Sequence, residues 1–160
     1  MTQFKFDKAK FQKTKKEAEA FYKNIKSIEC PYFSEKISFN STGLKHLKFK
    51  SERKARPQKD QYPRLRLLHL APEILKKSHT LQGIWVTECF ESQKTNSRWE
   101  HKMKKVTFYE FIAVLKNIRI KIIIKEVVGE KKYFWSIIPF WGIDKLAQKR
   151  VLHSGNPKND

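Results

Sequence analysis

Ile118-Arg119-Ile120-Lys121-Ile122-Ile123-Ile124-Lys125 is followed, after Val128-Gly129-Glu130-Lys131, by Tyr133-Phe134-Trp135-Ser136-Ile137-Ile138. Ile118, Ile120, Ile122 and Ile124 recur at every second position, with Arg119, Lys121 and Lys125 on the other face. That period belongs to a strand with one buried side. Gly129 supplies the free backbone that a tight hairpin turn needs. Tyr133 to Ile138 therefore reads as the returning strand, and Pro139, which has no N–H to donate, stops it.

Working towards the N-terminus, Val106 to Leu115 and Arg98 to Lys104 are further strand candidates. The polar run Glu91 to Ser97 reads as a loop. Before it, Ile84, Val86, Glu88 and Phe90 alternate with Trp85, Thr87 and Cys89. Upstream of Ile84 the period is helical. Residues 7–28 read as one helix, capped by Asp7 and carrying Phe11, Ala18, Phe21 or Tyr22, Ile25 and Ile28 on one face, with Pro31 ending it. Ile37 to Phe39 is a short strand. Ser41 or Thr42 can cap a short helix from Gly43 to Lys50. Arg64 to Leu70 and Ala71 to Lys77 are helical, as two helices or as one bent at Pro72. The chain is thus expected to be α+β, with N-terminal helices packed on a four- to five-stranded antiparallel sheet. Residues 1–30 form a basic helix, residues 31–150 a single α+β domain, and residues 151–160 a flexible tail, since Gly155 to Asp160 is polar and contains Pro157.

The charge balance narrows the function. Thirty-five Lys and Arg oppose 16 Asp and Glu, a net charge of +19, and the pI is near 10.0. Solubility asks for a magnitude of only about 2–8 in a small domain. The excess repels itself, and a phosphate backbone relieves that repulsion while releasing its own counterions. A polyanion, RNA or DNA, is the expected partner. No membrane role is expected, because the longest apolar stretch, Trp135 to Ile143, is broken by Ser136, Pro139 and Gly142 and falls short of the roughly 20 residues that a span requires. The Lys-rich start lacks an apolar core, so a cytoplasmic location is expected. Cys30 and Cys89 then read as two buried thiols.

There is no CxxC pair, no HExxH and no glycine-rich phosphate loop. His46, His69, His79, His101 and His153 have no metal-ligand spacing, so neither metal nor cofactor is expected. What remains is a histidine among cations. RNA cleavage without metal needs a base for the ribose 2′-hydroxyl, an acid for the leaving 5′-oxygen and fixed donors for the extra phosphoryl charge. His46 stands on the short helix beside the most basic part of the chain, Lys45 to Arg66. It serves equally well there as a packed or solvated residue. Lys45, Lys54, Arg56, Lys59 and Arg66 are candidates for phosphate contact. Trp85, Trp99, Trp135 and Trp141 are core residues or base-stacking platforms. Trp99, between Arg98 and His101, is the foremost stacking candidate.

Phe39-Asn40-Ser41-Thr42-Gly43-Leu44-Lys45-His46-Leu47 resembles the strand and Gly-apolar-x-His-apolar opening of the barnase–EndoU–colicin–RelE-like ribonuclease superfamily, in its phage and mobile-element branches. Lys59 to Leu68 resembles the Arg-bearing helix of that group, and Tyr133 to Pro139 its late strand with a central Ser or Thr. The likeness covers residues 35–140. It implies a metal-independent endoribonuclease, often a toxin of a toxin–antitoxin pair or mobile element, held by an acidic antitoxin or immunity protein. It implies His46 as the acid–base residue and Arg64 or Arg66 as the phosphate clamp, with Arg64 the inward one. Lys59 is implied as a helper and Ser136 as a hydroxyl donor. It leaves the general acid unassigned, because no second His or Glu stands at a matching position. A non-catalytic RNA- or DNA-binding protein with the same basic face is the alternative.

Overall fold

The computed structural model describes residues 6–115, 117–139, 143–144, 149–150 and 156–160. Helix α1 (Lys8–Asn24) opens where the Asp7 carboxylate accepts from the Ala9 N–H at 2.9 Å. It buries Phe11, Ala18 and Tyr22. It stops short of the expected Ile28. Ile25 turns to extended backbone, and β1 (Ser27–Cys30) pairs antiparallel with β2 (Glu35–Ser38), setting Ile28 opposite Ile37. The three-residue spacing of Ile25 and Ile28 suits a helix face, but β-branched side chains fit a pleated surface equally well, and the available strand partner decides.

Helix α2 (Ser41–Lys48) is capped by Asn40, one residue earlier than the expected Ser41 or Thr42, through a 3.1 Å bond from the Gly43 N–H to Asn40 Oδ1. A small hairpin follows, β3 (Phe49–Ser51) and β4 (Lys54–Ala55). Helix α3 (Gln58–Leu67) begins earlier than Arg64 and runs through Pro63. A 3-10 turn (Leu68–Leu70) joins it to α4 (Ala71–Lys76).

The remaining strands are β5 (Gly83–Thr95), β6 (Arg98–Leu115), β7 (Ile118–Val127) and β8 (Tyr133–Pro139), with short β9 (Ile143–Asp144) and β10 (Lys149–Arg150) paired to each other. The α+β class holds, but the sheet corrects the expected four- to five-stranded antiparallel one. It has six strands in the order β1-β2-β8-β7-β6-β5, and it is mixed, because β2 runs parallel to β8 at Ser38 and Tyr133. Local hairpin signals carry no information about a strand recruited from so far upstream. The polar run from Glu91 is not a loop either. It is paired up to Thr95 opposite Arg98 in a long β5–β6 ribbon. Asn96 and Ser97 turn it with φ of 49° and 65°, the mirror-type turn that matches strand twist.

The helices pack against Phe111, Ile120, Ile122, Ile124, Phe134 and Ile137. A second cluster joins Cys89, Val106, Phe108, Ile123, Val127, Tyr133 and Trp135. Lys121 and Lys125, which alternation puts on the polar face, are buried and paired to Glu110 at 3.2 Å and Glu91 at 2.7 Å. Cys30 and Cys89 are buried free thiols. The expected fraying of the chain end is also corrected for residues 156–160, which form a turn with Pro157 and Asp160 buried. Among the described residues no helix is long and apolar enough to cross a membrane. Trp141, His153 and Gly155 lie outside the described residues.

Candidate functional site

Two local devices bring the candidate residues together. The first is Gly43. A Cβ there would stand 2.2 Å from the Phe134 carbonyl oxygen and 2.7 Å from the Tyr22 hydroxyl. Only a bare Cα lets α2 lie this close to the backbone of β8. The Tyr22 hydroxyl donates to the Asn40 carbonyl at 2.6 Å and pins the entry to α2. His46, one turn along, is then delivered to β8. The second device is a bulge. Ile124 pairs with Phe134, but Ile123 pairs with Ser136, so Trp135 is an extra residue between them. Such an insertion re-aims neighbouring side chains.

The Trp135 indole stacks on the His46 imidazole, centroids 3.9 Å apart and planes 20° apart. Lys125 Nζ lies 4.2 Å from the same indole centroid. Arg56 approaches His46 from the hairpin, its Nε donating to the His46 carbonyl at 2.9 Å and its Nη2 lying 3.1 Å from His46 Nε2. A guanidinium can only donate, so Nε2 is the acceptor and the ring proton sits on Nδ1. Gln61 fixes Arg56 in turn, Nε2 donating to its carbonyl at 2.7 Å.

Arg64 is 2% exposed and points inward from α3. Its Nη1 folds back onto the Asp60 carbonyl at 2.8 Å, and its Nη2 reaches the Asp160 main-chain oxygen at 3.4 Å. The Ser136 hydroxyl donates to that same oxygen at 2.6 Å. Arg64 and Ser136 thus meet at one oxygen of Asp160, and the Asp160 main chain also raises the His46 pKa, which places the imidazole beside it.

The field here is strongly positive. Burial above all, then Arg56, Arg64 and Lys125, hold His46 well below its usual 6.5, opposed only by the bond to Asp160. The ring is neutral at physiological pH. Burial, and then Arg56, also lower Arg64, while Asp60 and Asp160 work in the other direction. It remains a cation, as arginine does in proteins.

A cavity of about 740 Å³ adjoins the stacked pair. Lys45, Phe49 and Lys50 line it from α2 and β3, Phe90, Trp99 and His101 from the ribbon, and His46 and Trp135 also face it. Phe90 is 67% exposed and Trp99 72%. Lys54 and Lys59 are exposed and do not line the cavity; nor does Arg66, whose guanidinium lies 6.0 Å from the Tyr62 ring. Arg56 differs most from its expected role, being 3% exposed and an internal partner of His46 rather than a surface phosphate contact. Lys121 and Lys125 were not legible as site residues, and Trp135 was legible only as one of four tryptophans that could be core or stacking. Alternation assigns both lysines to solvent, and nothing in Trp135 itself signals a bulge. Comparison with family models, characterised proteins and solved structures finds no match.

Proposed function

We propose that the protein is a metal-independent endoribonuclease. The reading is carried by one observation, the meeting of Arg64 and Ser136 at a single Asp160 oxygen beside the buried His46. In this scheme the neutral imidazole takes the proton of a ribose 2′-hydroxyl. The 2′-oxygen attacks the adjacent phosphorus and forms a 2′,3′-cyclic phosphate. The 5′-oxygen leaves with the proton carried by the imidazolium. Arg64 and the Ser136 hydroxyl hold the non-bridging oxygens as charge builds. Arg56 orients His46 and adds a second cation. Unpaired bases stack on Phe90 and Trp99 along the cavity, with Lys45 and Lys50 on the phosphates.

An acidic antitoxin or immunity protein in the cytoplasm is the partner that this reading implies, since such a surface neutralises the basic excess. The exposed aromatics of the ribbon favour a second reading, a non-catalytic RNA- or DNA-binding protein. Incubating the full chain with labelled total RNA in EDTA separates the two. Discrete fragments ending in 2′,3′-cyclic phosphate support the enzyme. Retention of intact RNA with no fragments supports the binder.

A further inference from the structure

The last described residues form a turn of their own. Asn156 Oδ1 accepts from the Lys158 N–H at 3.1 Å, and the Asn156 carbonyl accepts from the N–H groups of Asn159 and Asp160 at 3.0 and 3.1 Å. This turn presents successive main-chain oxygens to the site. Trp135 Nε1 donates to Pro157 O at 3.0 Å and Arg56 Nη2 to Asn159 O at 3.0 Å. The Asp160 oxygen takes Ser136 and Arg64. The Asp160 carboxylate lies 3.8 Å from Lys121 Nζ, and the residue is 1% exposed. Arg64 and Ser136, assigned to the scissile phosphate, and Arg56 beside them are therefore engaged by oxygens of the chain itself.

A run of main-chain oxygens that takes up these donors stands in for the acceptors of a polynucleotide backbone. It differs in charge. The Pro157 and Asn159 carbonyls are neutral acceptors and Asp160 alone carries carboxylate, whereas a polynucleotide brings a full negative charge with every phosphate to the guanidiniums of Arg56 and Arg64. Charge-assisted bonds from guanidinium to phosphate are the stronger ones. The occupant is thus of the kind that a phosphodiester can displace and that solvent alone does not.

We propose that residues 156–160 are a built-in competitor for the phosphate seat, and that a single-stranded polynucleotide binds by expelling them. The proposal rests on the reading of the seat as a phosphate site, but it does not depend on cleavage. Displacement also bears on chemistry. Arg56 Nη2 is shared between His46 Nε2 and Asn159 O, so losing the tail leaves this guanidinium free to turn to phosphate and uncover the imidazole lone pair.

The test uses the full chain and a 2′-deoxy oligonucleotide, which binds but offers no 2′-hydroxyl. Amide resonances of Asn159 and Asp160 and the Trp135 indole N–H are followed on titration. The expected result is that both amides move to random-coil positions with loss of exchange protection as the indole shifts. Asn156→Gly removes the Oδ1 that holds the Lys158 N–H and so loosens the turn without changing charge. It should tighten oligonucleotide binding about tenfold if the open fraction is about a tenth. Binding that leaves the two amides protected overturns the proposal. So does an Asn156→Gly chain that binds no better than wild type, or that loses its thermal midpoint without gaining affinity, because the tail is then part of the fold. Failure of both chains to bind overturns it as well. A displaced tail in a protein that never cleaves RNA leaves this proposal standing and removes only the enzymatic one.

Discussion

The indole of Trp135 lies face to face with the imidazole of His46 at 3.9 Å, and this contact joins the short helix α2 to the bulge of β8. It makes His46 a buried residue, 6% exposed, and not a solvated one on a basic surface. The same contact sets the ring plane and excludes water from one face.

Replacing His46 by Ala should therefore have two effects. Cleavage should fall by about 10²–10⁴-fold, the usual contribution of a general base. The thermal midpoint should fall too, because a stacked ring and the partner of Arg56 are lost from a buried site. RNA affinity should hardly change, since cations carry it. Rate, affinity and midpoint measured on one preparation check this; unchanged cleavage moves the chemistry away from His46.

Arg64→Lys keeps the charge but not the fork that spans the Asp60 carbonyl and the Asp160 oxygen. Most cleavage should be lost, with a destabilisation of about 1.5–3 kcal/mol from the lost hydrogen bonds of a buried charged group. Arg66→Lys, at an exposed position on the same helix, should behave as wild type. Denaturant midpoints and initial rates for the two variants make the comparison, and equal behaviour sinks the assignment.

The pH dependence follows from His46. Its folded pKa is held well below 6.5, chiefly by burial, so below about 6.5 the unfolded chain binds a proton that the folded chain refuses. Stability is complete above that value and declines as pH falls through it towards the lower folded pKa. Urea midpoints at about pH 5 and about pH 8 should differ less in His46→Gln than in wild type. The acid limb of the cleavage profile should also lie below 6.5, and a rate that halves near 6.5 would contradict a buried neutral base.

Gly43→Ala should be costly although the change is one methyl. The new Cβ would meet the Phe134 carbonyl oxygen at 2.2 Å, and neither backbone can yield cheaply. A loss of about 2–3 kcal/mol is expected, at the upper end for overpacking, together with lost cleavage as His46 moves off Trp135. Thermal unfolding tests the first part and RNA digestion the second.

At the cavity mouth, Trp99→Ala and Phe90→Ala should each weaken single-strand binding by about 1–3 kcal/mol. The salt slope, about −0.7 per neutralised phosphate, should stay as in wild type, since neither change removes a charge. Fluorescence anisotropy across a salt series reports both quantities. A changed slope would mean that the ribbon acts through its lysines.

Much of the architecture was legible in the sequence. The two-residue period of Ile118 to Ile124, the turn at Gly129 and the return through Ile138 are local patterns with local causes, and they define β7 and β8 as they stand in the structure. The cap at Asp7 and the placement of His46 on a short helix after Gly43 are local as well, whereas the inward Arg64 was implied by the resemblance and not by the local pattern. The net charge of +19 needs no fold to be read. What only the tertiary structure decided concerns partners distant in sequence. Ile28 became a strand residue because β2 was there to pair with it. Lys121 and Lys125 left the solvent because Glu110 and Glu91 stood across the sheet to neutralise them. The bulge that inserts Trp135 depends on the register between two strands, and a one-residue slip has no signature in either strand alone. Arg56 stands in a run of cations where only spatial neighbours single it out, and the tail at Asp160 is polar by composition yet buried by the donors it meets. Periodicity reports which face of an element is buried; it does not report which charged groups the fold will bring together to make burying them affordable.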